Sequence, residues 1–429
     1  MRFQGKHFVV IGAKRSGLAA IELLKKQGAR VTAMDSEPSD LANVTVVAQK
    51  EENLRDADAV VLSPGVPYDL PMLENVRARG IPTIGEVELA SYFLQGPVIG
   101  ITGSNGKTTT TALTGHVLKQ CGIPCQVGGN IGTAVASLVA SSSPKQWNVL
   151  ELSSFQLESI VDFRASIAAC LNVTPDHLDR HHTFEIYANA KGRLFDTQQA
   201  SDFAVLNYDD PTCRAFASRT KARIVWFGSP EGVSLKGDSI EFNGSGFMTR
   251  SQIKLRGMHN VENVMAAAAI AHLTGAKLEE IGAAVASFPG VEHRIEFVRN
   301  LAGVEYYNDS KATNVDAALK AIDAFPGGLW IILGGKDKNS DYAPLRAPLA
   351  ERAKGVLLIG MAAPLIRKAL AGAVALTDCE TLERAVSYAR EHAASGDTVL
   401  LAPACASFDQ FENYERRGER FKHLVAELS

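Results

Sequence analysis

The stretch "VIGITGSNGKTTTTAL", residues 98–113, decides the fold class of this chain. An apolar run stops there at a glycine-rich turn, and a helical pattern starts at Lys107. Glycines let the backbone turn so tightly that consecutive N–H groups can face phosphate oxygens, and the helix N-terminus adds partial positive charge. In such a loop the lysine reaches the β- and γ-phosphates, and the next hydroxyl, here that of Thr108, ligates Mg²⁺.

We predict that this phosphate loop (residues 103–108) binds a nucleoside triphosphate, with an ordinary strand-to-helix turn as the structural alternative. The match to G-x-x-x-x-G-K-[ST] is imperfect, because Ile101 takes the place of the first glycine. The predicted contacts are Gly103, Ser104, Asn105, Gly106, Lys107, Thr108 and Thr109. The chain has no Asn-Lys-x-Asp signal for guanine, and a motor, a switch, a kinase or a ligase could use such a loop.

Strand and helix patterns alternate almost throughout, which is typical of parallel sheets covered by helices. Apolar runs such as "HFVVIG" and "RVTAMD" precede residue 95, and "WNVLELS" and "DFAVLNYDD" follow the phosphate loop. Others, such as "LWIILGG" and "DTVLLAPA", lie beyond the linker-like segment "FPGVEHR". We predict an α/β protein of three domains, residues 1–95, 96–290 and 291–429, with ligands at the carboxyl ends of the strands.

Composition narrows the class of protein. Of the 429 residues, 46% are hydrophobic and 21% charged, and the net charge is −3, so nothing indicates a broad basic surface for nucleic acid. The apolar runs are too short to insert into a membrane, and the first one is ended by a glycine turn and is typical of a strand. Six scattered cysteines favour the reduced thiols of a cytoplasmic protein over a zinc site.

Two polar groups after the phosphate loop are candidates for metal binding. Glu151 ends the strand "WNVLELS", where a carboxylate can hold the metal that bridges the phosphates, although an exposed strand-end Glu is the alternative. The segment "PDHLDRHHTF" crowds His177, His181 and other polar residues together, with Lys191 downstream. Zinc, a solvated polar loop, or one imidazole completing a second Mg²⁺ shell are all compatible with that composition.

The segment "VVIGAKRSG" near the N-terminus approaches the dinucleotide pattern G-x-G-x-x-G, but Lys14 replaces the middle glycine. A side chain there hinders the approach of a pyrophosphate, which weakens a prediction of NAD binding. Asp35, after the second strand, is still compatible with NAD. Nothing downstream, however, indicates hydride-transfer chemistry.

The motifs occur in an order that resembles the Mur ligases. They are "TGSNGKTTT", "GGNIG", "LELSSFQLE", "LNVTPDHLDRH", "GMHNVEN", "HRIE", "NDSKATN" and "PACASFDQF" followed by "RG". The resemblance covers the whole chain, and the last two segments resemble those of members that add D-glutamate to UDP-N-acetylmuramoyl-L-alanine. The resemblance implies an N-terminal Rossmann-like UDP-binding domain, a central P-loop ATPase-like parallel sheet, and a C-terminal Rossmann-like domain that brings the amino acid.

The resemblance also implies roles for residues of the central site. Lys107 and Thr108 would bind the phosphates and the first Mg²⁺, with Glu151 as its carboxylate partner, and His177 would serve a second Mg²⁺ ion. Lys191 matches a lysine that the family carbamylates, although the residues alone favour a plain surface lysine. Carbamylation would make a catalytic and metal-binding anion of it, so the implied metal ligands are Thr108, Glu151, His177 and Lys191.

The other implied contacts concern the adenine, the nucleotide and the two further substrates. Asn260 and Asn263 would contact adenine, with helix capping as the alternative role of Asn260, and Arg294 and Asp309 would contact the nucleotide. Lys311, Thr313, Lys338, Ser407, Phe408 and Tyr414 match the D-glutamate site, where the family commonly has Phe in place of Tyr414. Arg15, Ser16, Asp35, Ser36, Gly65 and Asn130 would bind the UDP-sugar substrate.

The resemblance implies an enzyme that uses ATP to phosphorylate the carboxylate of one substrate and then captures the acyl phosphate with the D-glutamate amine. We expect small-molecule substrates, a monomer, and a cytoplasmic location. A sister ligase, either another Mur ligase or a folylpolyglutamate synthase, is the nearer alternative, although the "DNPR"-type segment of the diaminopimelate- or lysine-adding ligase is absent. A phosphate-loop NTPase that acts as a switch or motor is the distant alternative.

Overall fold

The structure is a computed structural model that describes residues 2–36, 44–338 and 340–429, with only the backbone described for Asp179. The chain divides into two compact units, Met1–Ile253 with Val261–Phe288, and Lys254–Asn260 with Pro289–Ser429. The described residues form three mainly parallel sheets, which confirms the predicted α/β fold class. The first unit holds the first two sheets and the second unit holds the third. The predicted domain boundaries stay a prediction.

The first sheet is a doubly wound parallel sheet. Its strands are β1 (His7–Ile11), β2 (Arg30–Asp35), β3 (Thr45–Ala48), β4 (Ala59–Leu62) and β5 (Thr83–Gly85). Its helices are α1 (Arg15–Lys26), α2 (Pro71–Ala78) and α3 (Glu86–Ser91). The strand order is β3-β2-β1-β4-β5, so the order reverses between β1 and β4, and that is where such sheets bind ligands.

The second sheet carries the phosphate loop, which follows one of its central strands. Its strands are β6 (Val98–Thr102), β7 (Cys125–Gly129), β8 (Trp147–Glu151), β9 (Ile167–Cys170), β10 (Phe203–Asn207), β11 (Arg223–Phe227), β12 (Gly232–Lys236), β13 (Ser239–Phe242) and β14 (Ser245–Thr249). The helices are α4 (Lys107–Gln120), α5 (Val135–Leu138), α6 (Ser154–Leu157), α7 (Leu178–His181), α8 (Phe184–Asp196), α9 (Pro211–Phe216), α10 (Met258–Leu273) and α11 (Leu278–Ser287). The order is β14-β13-β12-β11-β10-β9-β6-β8-β7, with β12, β13 and β14 antiparallel, so β6 lies between β9 and β8.

The third sheet belongs to the second unit. Its strands are β15 (Glu296–Leu301), β16 (Val304–Asn308), β17 (Leu329–Gly334), β18 (Ala353–Ile359), β19 (Leu376–Glu380) and β20 (Thr398–Leu401). Its helices are α12 (Val315–Asp323), α13 (Arg346–Arg352), α14 (Ala363–Leu370), α15 (Leu382–His392) and α16 (Tyr414–Glu427). The order is β15-β16-β20-β17-β18-β19, and only β15 pairs antiparallel with its neighbour.

The apolar runs predict the central strands because strands covered on both faces are apolar throughout. Every residue of β4 and β6 is buried, as that rule requires. The prediction missed β7, whose sequence "CQVGG" contains two glycines that strands seldom carry. None of the described helices combines the length and the apolar character needed to span a bilayer.

Candidate active site

The phosphate loop requires glycine at its last position before α4. Gly106 has φ +83°, a left-handed conformation that disfavours other residues. A Cβ there would lie 2.2 Å from Oδ1 of Asn263, which also accepts a hydrogen bond from the Thr110 hydroxyl at 3.2 Å. The predicted adenine contact Asn263 therefore packs against the phosphate loop itself.

Two lysine side chains converge on the phosphate loop. Nζ of Lys107 donates to the carbonyl oxygens of Gly103 at 2.7 Å and Ser104 at 2.8 Å. Nζ of Lys191, from α8, donates to the same Gly103 oxygen at 2.8 Å. The Nζ atoms of both lysines therefore lie at the loop that is expected to meet phosphate.

Glu151 ends β8 beside the phosphate loop, because β8 pairs in register with β6 and Glu151 faces Ile101. Its side chain is buried, and Oε1 accepts a hydrogen bond from Nδ2 of Asn130 at 2.8 Å. Within the described residues Oε2 has no hydrogen-bond partner. A buried carboxylate oxygen without a partner is costly unless a cation or donor meets it, so Glu151 and the buried Thr108 hydroxyl fit a Mg²⁺ ion by their chemistry.

Burial changes the chemistry of Lys191, whose side chain is only 1% exposed. Burial, with the positive charge of Lys107 acting in the same direction, lowers its pKa to about 7. The ammonium lies 4.5 Å from the centre of the Tyr187 ring. The lowered pKa increases the share of neutral, nucleophilic amine at neutral pH, which is the form that carbamylation requires.

His177 and His181 point to different partners, although they lie four residues apart. Nε2 of His177 lies 3.5 Å from an oxygen of Asp176, whereas Nε2 of His181 lies 2.9 Å from the Ser154 hydroxyl. No described group of three His, Cys, Asp or Glu side chains is arranged to hold a metal ion. His177 is the half-exposed one of the two, and its backbone adopts φ +52°.

Tyr187 connects several predicted residues, although it was not itself predicted from the sequence. Its hydroxyl lies 2.9 Å from Oγ of Ser104 in the phosphate loop, and its ring centre lies 6.4 Å from that of His177. The available signal is its place on α8, four residues before Lys191, because residues i and i+4 share a helix face.

A cavity of about 450 Å³ lies where β1 and β4 end, and we call it the β1–β4 cavity. Arg15, Ser16, Asp35, Ser36, Gly65 and Asn130 all line it, so the structure brings the six predicted substrate contacts together. Lys14 and Arg15, at the start of α1, give the cavity positive charge suited to a diphosphate.

The close packing of α1 against the turn after β1 requires a glycine at position 17. A Cβ on Gly17 would lie 1.7 Å from the carbonyl oxygen of Gly12, so helix and strand approach as closely as in dinucleotide-binding folds. Asp35 accepts a hydrogen bond from the backbone N–H of Ala13 at 2.7 Å, which places this carboxylate at the cavity rim.

In the second unit, Asp309 and Arg294 lie close enough to interact electrostatically. Burial raises the pKa of Asp309 to about 6, against opposing contributions from Arg294 and the backbone N–H of Ile295. Within the described residues Nε of Arg294 is buried without a hydrogen-bond partner. Asn260 donates to the carbonyl oxygen of Arg256 at 2.7 Å.

The predicted D-glutamate residues differ in how the structure places them. Nζ of Lys311 lies 5.6 Å from the centre of the Tyr414 ring, so these two meet. Ser407 is buried, and its carbonyl oxygen accepts a hydrogen bond from the backbone N–H of Phe411 at 2.8 Å. Lys338 and Phe408 are exposed, and Thr313 lies two residues beyond Lys311 in the same turn.

Arg417 was also missed, although the "RG" after Tyr414 was available as a signal. Its side chain is 1% exposed, and burial lowers its pKa to about 10. The guanidinium donates to the hydroxyl and carbonyl oxygen of Ser310 at 3.0 and 2.9 Å and to the carbonyl oxygen of Cys405 at 3.2 Å. It thereby joins the two loops that carry Lys311 and Ser407.

Three family models match the chain in succession. Residues 6–85 match the Mur ligase MurD-like, N-terminal domain, and residues 101–271 match the Mur ligase middle domain. Residues 293–405 match the Mur ligase, glutamate ligase domain.

Whole proteins match over the full length as well. A protein of Solibacter usitatus named UDP-N-acetylmuramoylalanine--D-glutamate ligase is 57% identical, covering 99% of this chain and 98% of its own length. A protein of the same name from Myxococcus xanthus is 44% identical, covering 100% of both chains. The solved structure of UDP-N-acetylmuramate-alanine ligase from Thermotoga maritima has a TM-score of 0.62 at 19% identity, covering 98% of this chain and 99% of that chain, and it shares the fold.

Proposed function

The chain belongs to the Mur ligase family, and from this premise we propose that it joins D-glutamate to UDP-N-acetylmuramoyl-L-alanine in peptidoglycan synthesis, converting ATP to ADP and phosphate. The observation that carries most weight is the phosphate loop with the buried Glu151 beside it. Relatives that carry this activity in their names, at 57% and 44% identity over the full chain, support the choice of substrates.

In the proposed reaction the substrate carboxylate attacks the γ-phosphoryl group and forms an acyl phosphate, since a free carboxylate is a poor electrophile. Lys107 and the N–H groups of the phosphate loop stabilise the charge on the transferred group. The D-glutamate amine then attacks the acyl carbon through a tetrahedral intermediate, and phosphate leaves. Exclusion of water from the site would prevent hydrolysis of the acyl phosphate.

We assign the metal ligands and the carbamate on chemical fit. Thr108 and Glu151 would hold one Mg²⁺ ion, and His177 with carbamylated Lys191 would serve a second. Mg²⁺ supplies neutralisation of phosphate charge when bound. The lowered pKa of Lys191 supports the carbamate, because only the neutral amine adds CO₂.

The substrate contacts follow the three proposed domains. Residues 1–95 would take the UDP sugar in the β1–β4 cavity, and residues 96–290 would take ATP. In residues 291–429, Lys311, Thr313, Lys338, Ser407, Phe408 and Tyr414 would meet the D-glutamate carboxylates. We further propose a cytoplasmic monomer that acts on small molecules.

The test is the substrate dependence of ADP release by the purified protein with ATP and Mg²⁺. We expect release only when both UDP-N-acetylmuramoyl-L-alanine and D-glutamate are present. Brisk hydrolysis with neither substrate would indicate an NTPase instead, and coupling to another amino acid would indicate a sister ligase.

A further inference from the structure

One side chain, that of Arg180 in α7, reaches from the segment that carries His177 to the loop that lines the β1–β4 cavity. Its Nη2 donates a hydrogen bond to the backbone carbonyl oxygen of Val66 at 2.8 Å. Val66 lines the cavity beside Gly65. The Arg180 side chain is only 14% exposed, so this charged hydrogen bond is partly shielded from water and correspondingly strong.

The Arg180 guanidinium also contacts the aromatic ring that lies next to His177. Its central carbon lies 4.8 Å from the centre of the Phe155 ring. The Phe155 ring meets the His177 ring edge-on at 4.9 Å between centres. Val66, Arg180, Phe155 and His177 therefore form one continuous series of contacts.

The backbone makes His177 dependent on these neighbours. Its φ of +52° is uncommon for a residue other than glycine, and such conformations persist only where surrounding contacts hold them. Glu158 completes the support, since its Oε2 lies 3.6 Å from Nη2 of Arg180. A change at Arg180 should therefore move the His177 ring.

A second link between the same two segments is weaker. Nε2 of His182 lies 3.0 Å from Oδ2 of Asp69, but the two side chains are 63% and 56% exposed. Exposed pairs of this kind contribute little, because solvent and salt screen them. Arg180 is thus the principal link between the cavity loop and the His177 segment.

We propose that Arg180 is a positioning residue that couples the loop lining the β1–β4 cavity to the placement of His177. Arginine suits this role and lysine does not, because a planar guanidinium donates at its edge while its face lies on an aromatic ring. The inference rests on the proposed function, in which that cavity holds the UDP-linked substrate and His177 serves Mg²⁺.

The test compares Arg180→Met and Arg180→Lys with the wild-type enzyme. For Arg180→Met we expect the KM for UDP-N-acetylmuramoyl-L-alanine and the Mg²⁺ concentration for half-maximal rate each to rise roughly tenfold, the loss typical of one charged hydrogen bond. The KM for D-glutamate should stay unchanged, and Arg180→Lys should recover little of the loss. Wild-type values of both parameters in Arg180→Met would overturn the proposal.

Matched variants separate positioning from folding. Arg214→Met is the control, because its guanidinium also lies over a ring, 5.7 Å from the centre of Tyr208, outside the site. Phe155→Leu removes the ring that lies against Arg180, His177 and His181 but leaves the hydrogen bond from Arg180 to Val66, so it should raise the Mg²⁺ requirement and leave the KM for the UDP-linked substrate unchanged. If Arg180→Met does not fold, two results test the proposal instead: the separate effects of Phe155→Leu on KM and on the Mg²⁺ requirement, and the rise of both parameters in Arg180→Lys.

A double-mutant cycle with His177→Ala tests whether Arg180 acts through His177. In the His177→Ala background, Arg180→Met should change the Mg²⁺ concentration for half-maximal rate by less than twofold. A full, additive tenfold rise of that concentration there would contradict the coupling. A wild-type enzyme that does not need both substrates would instead refute the proposed function, so the two failures are distinguishable.

Discussion

At the scale of single residues, burial rather than residue type sets the chemistry of the site. By composition Lys191 is a plain surface lysine, and only the resemblance to the Mur ligases implied its carbamylation. The structure buries it on α8 beside Lys107, which moves its pKa to about 7. Glu151 shows the same effect, because a strand-end carboxylate that the pattern allowed to be exposed is buried with one oxygen unpaired among the described residues.

The lowered pKa of Lys191 predicts that activity depends on CO₂. Below pH 7 the amine is mostly protonated, which weakens the addition of CO₂, so activity at pH 6.5 should require a higher CO₂ concentration than activity at pH 8.5. Lys191→Ala should be inactive and should regain activity with short carboxylic acids, whereas the exposed control Lys145→Ala should behave as wild type. Steady-state rates in CO₂-depleted buffer measure this, and full activity of Lys191→Ala would contradict it.

Glu151→Gln should weaken Mg²⁺ binding, because an amide oxygen replaces the carboxylate charge that a hard cation prefers. We expect kcat/KM to fall roughly 100-fold, the scale of losing one charge-stabilising group. Excess Mg²⁺ should recover part of the rate. Titration of ADP release against Mg²⁺ measures the Mg²⁺ requirement of each variant. An unchanged requirement in Glu151→Gln would show that Glu151 is not a metal ligand. Glu22→Gln, on the exposed face of α1, is the control.

At the scale of elements, the strand β6, the phosphate loop and α4 follow directly from local sequence. The apolar run predicts a buried strand, and the glycines predict the turn. The neighbours of this strand–loop–helix segment come from elsewhere in the chain. Strands β8 and β9 flank β6, and Asn263 of α10 packs on Gly106. Local patterns carry no information on which distant segment fills such a position.

Gly106→Ala should abolish nucleotide binding while Gly122→Ala should not. Both glycines flank α4 with similar φ, +83° and +70°, so each alanine strains the backbone by roughly 1 kcal/mol. Only at Gly106 would the added Cβ meet another group, Asn263, since among the described atoms none lies within 4 Å of the position at Gly122. Calorimetric titration with ATP and Mg²⁺ tests this, and equal affinities for the two variants would contradict it.

At the scale of the molecule, buried polar contacts join the first two sheets within their common unit. Glu86 of α3 accepts a hydrogen bond from the backbone N–H of Ala136 in α5 at 2.6 Å. Glu88, on the same short helix, accepts three more from Val161, Asp162 and Phe163. Neither glutamate stands out in the sequence, because a Glu in a short helix is ordinarily solvated.

Glu86 should make this unit less stable as pH rises from about 4.5 to 7. Burial raises its folded-state pKa to about 7, against the Ala136 N–H and Arg15, so the folded state keeps a proton that the unfolded state loses. The loss is at most about 1.4 kcal/mol per pH unit. The glutamine of Glu86→Gln cannot titrate. Between pH 5 and pH 7.5 the free energy of unfolding of the wild type should therefore fall by roughly 2–3 kcal/mol relative to that of Glu86→Gln, as measured by chemical unfolding. Parallel curves for the two proteins would contradict the assignment.

The α/β class, the phosphate loop, the family, and a set of polar residues with the right chemistry could all be predicted from the sequence alone. This was possible because strand and turn signals are local and because the ordered motifs are specific in combination; the family and the fold class are confirmed. The three-dimensional structure was needed to show that Lys191 is buried, that Tyr187 and Arg180 connect the site, and that six residues from four parts of the chain line one cavity. Those properties depend on desolvation and on contacts between residues far apart in the chain, and local sequence patterns do not contain them.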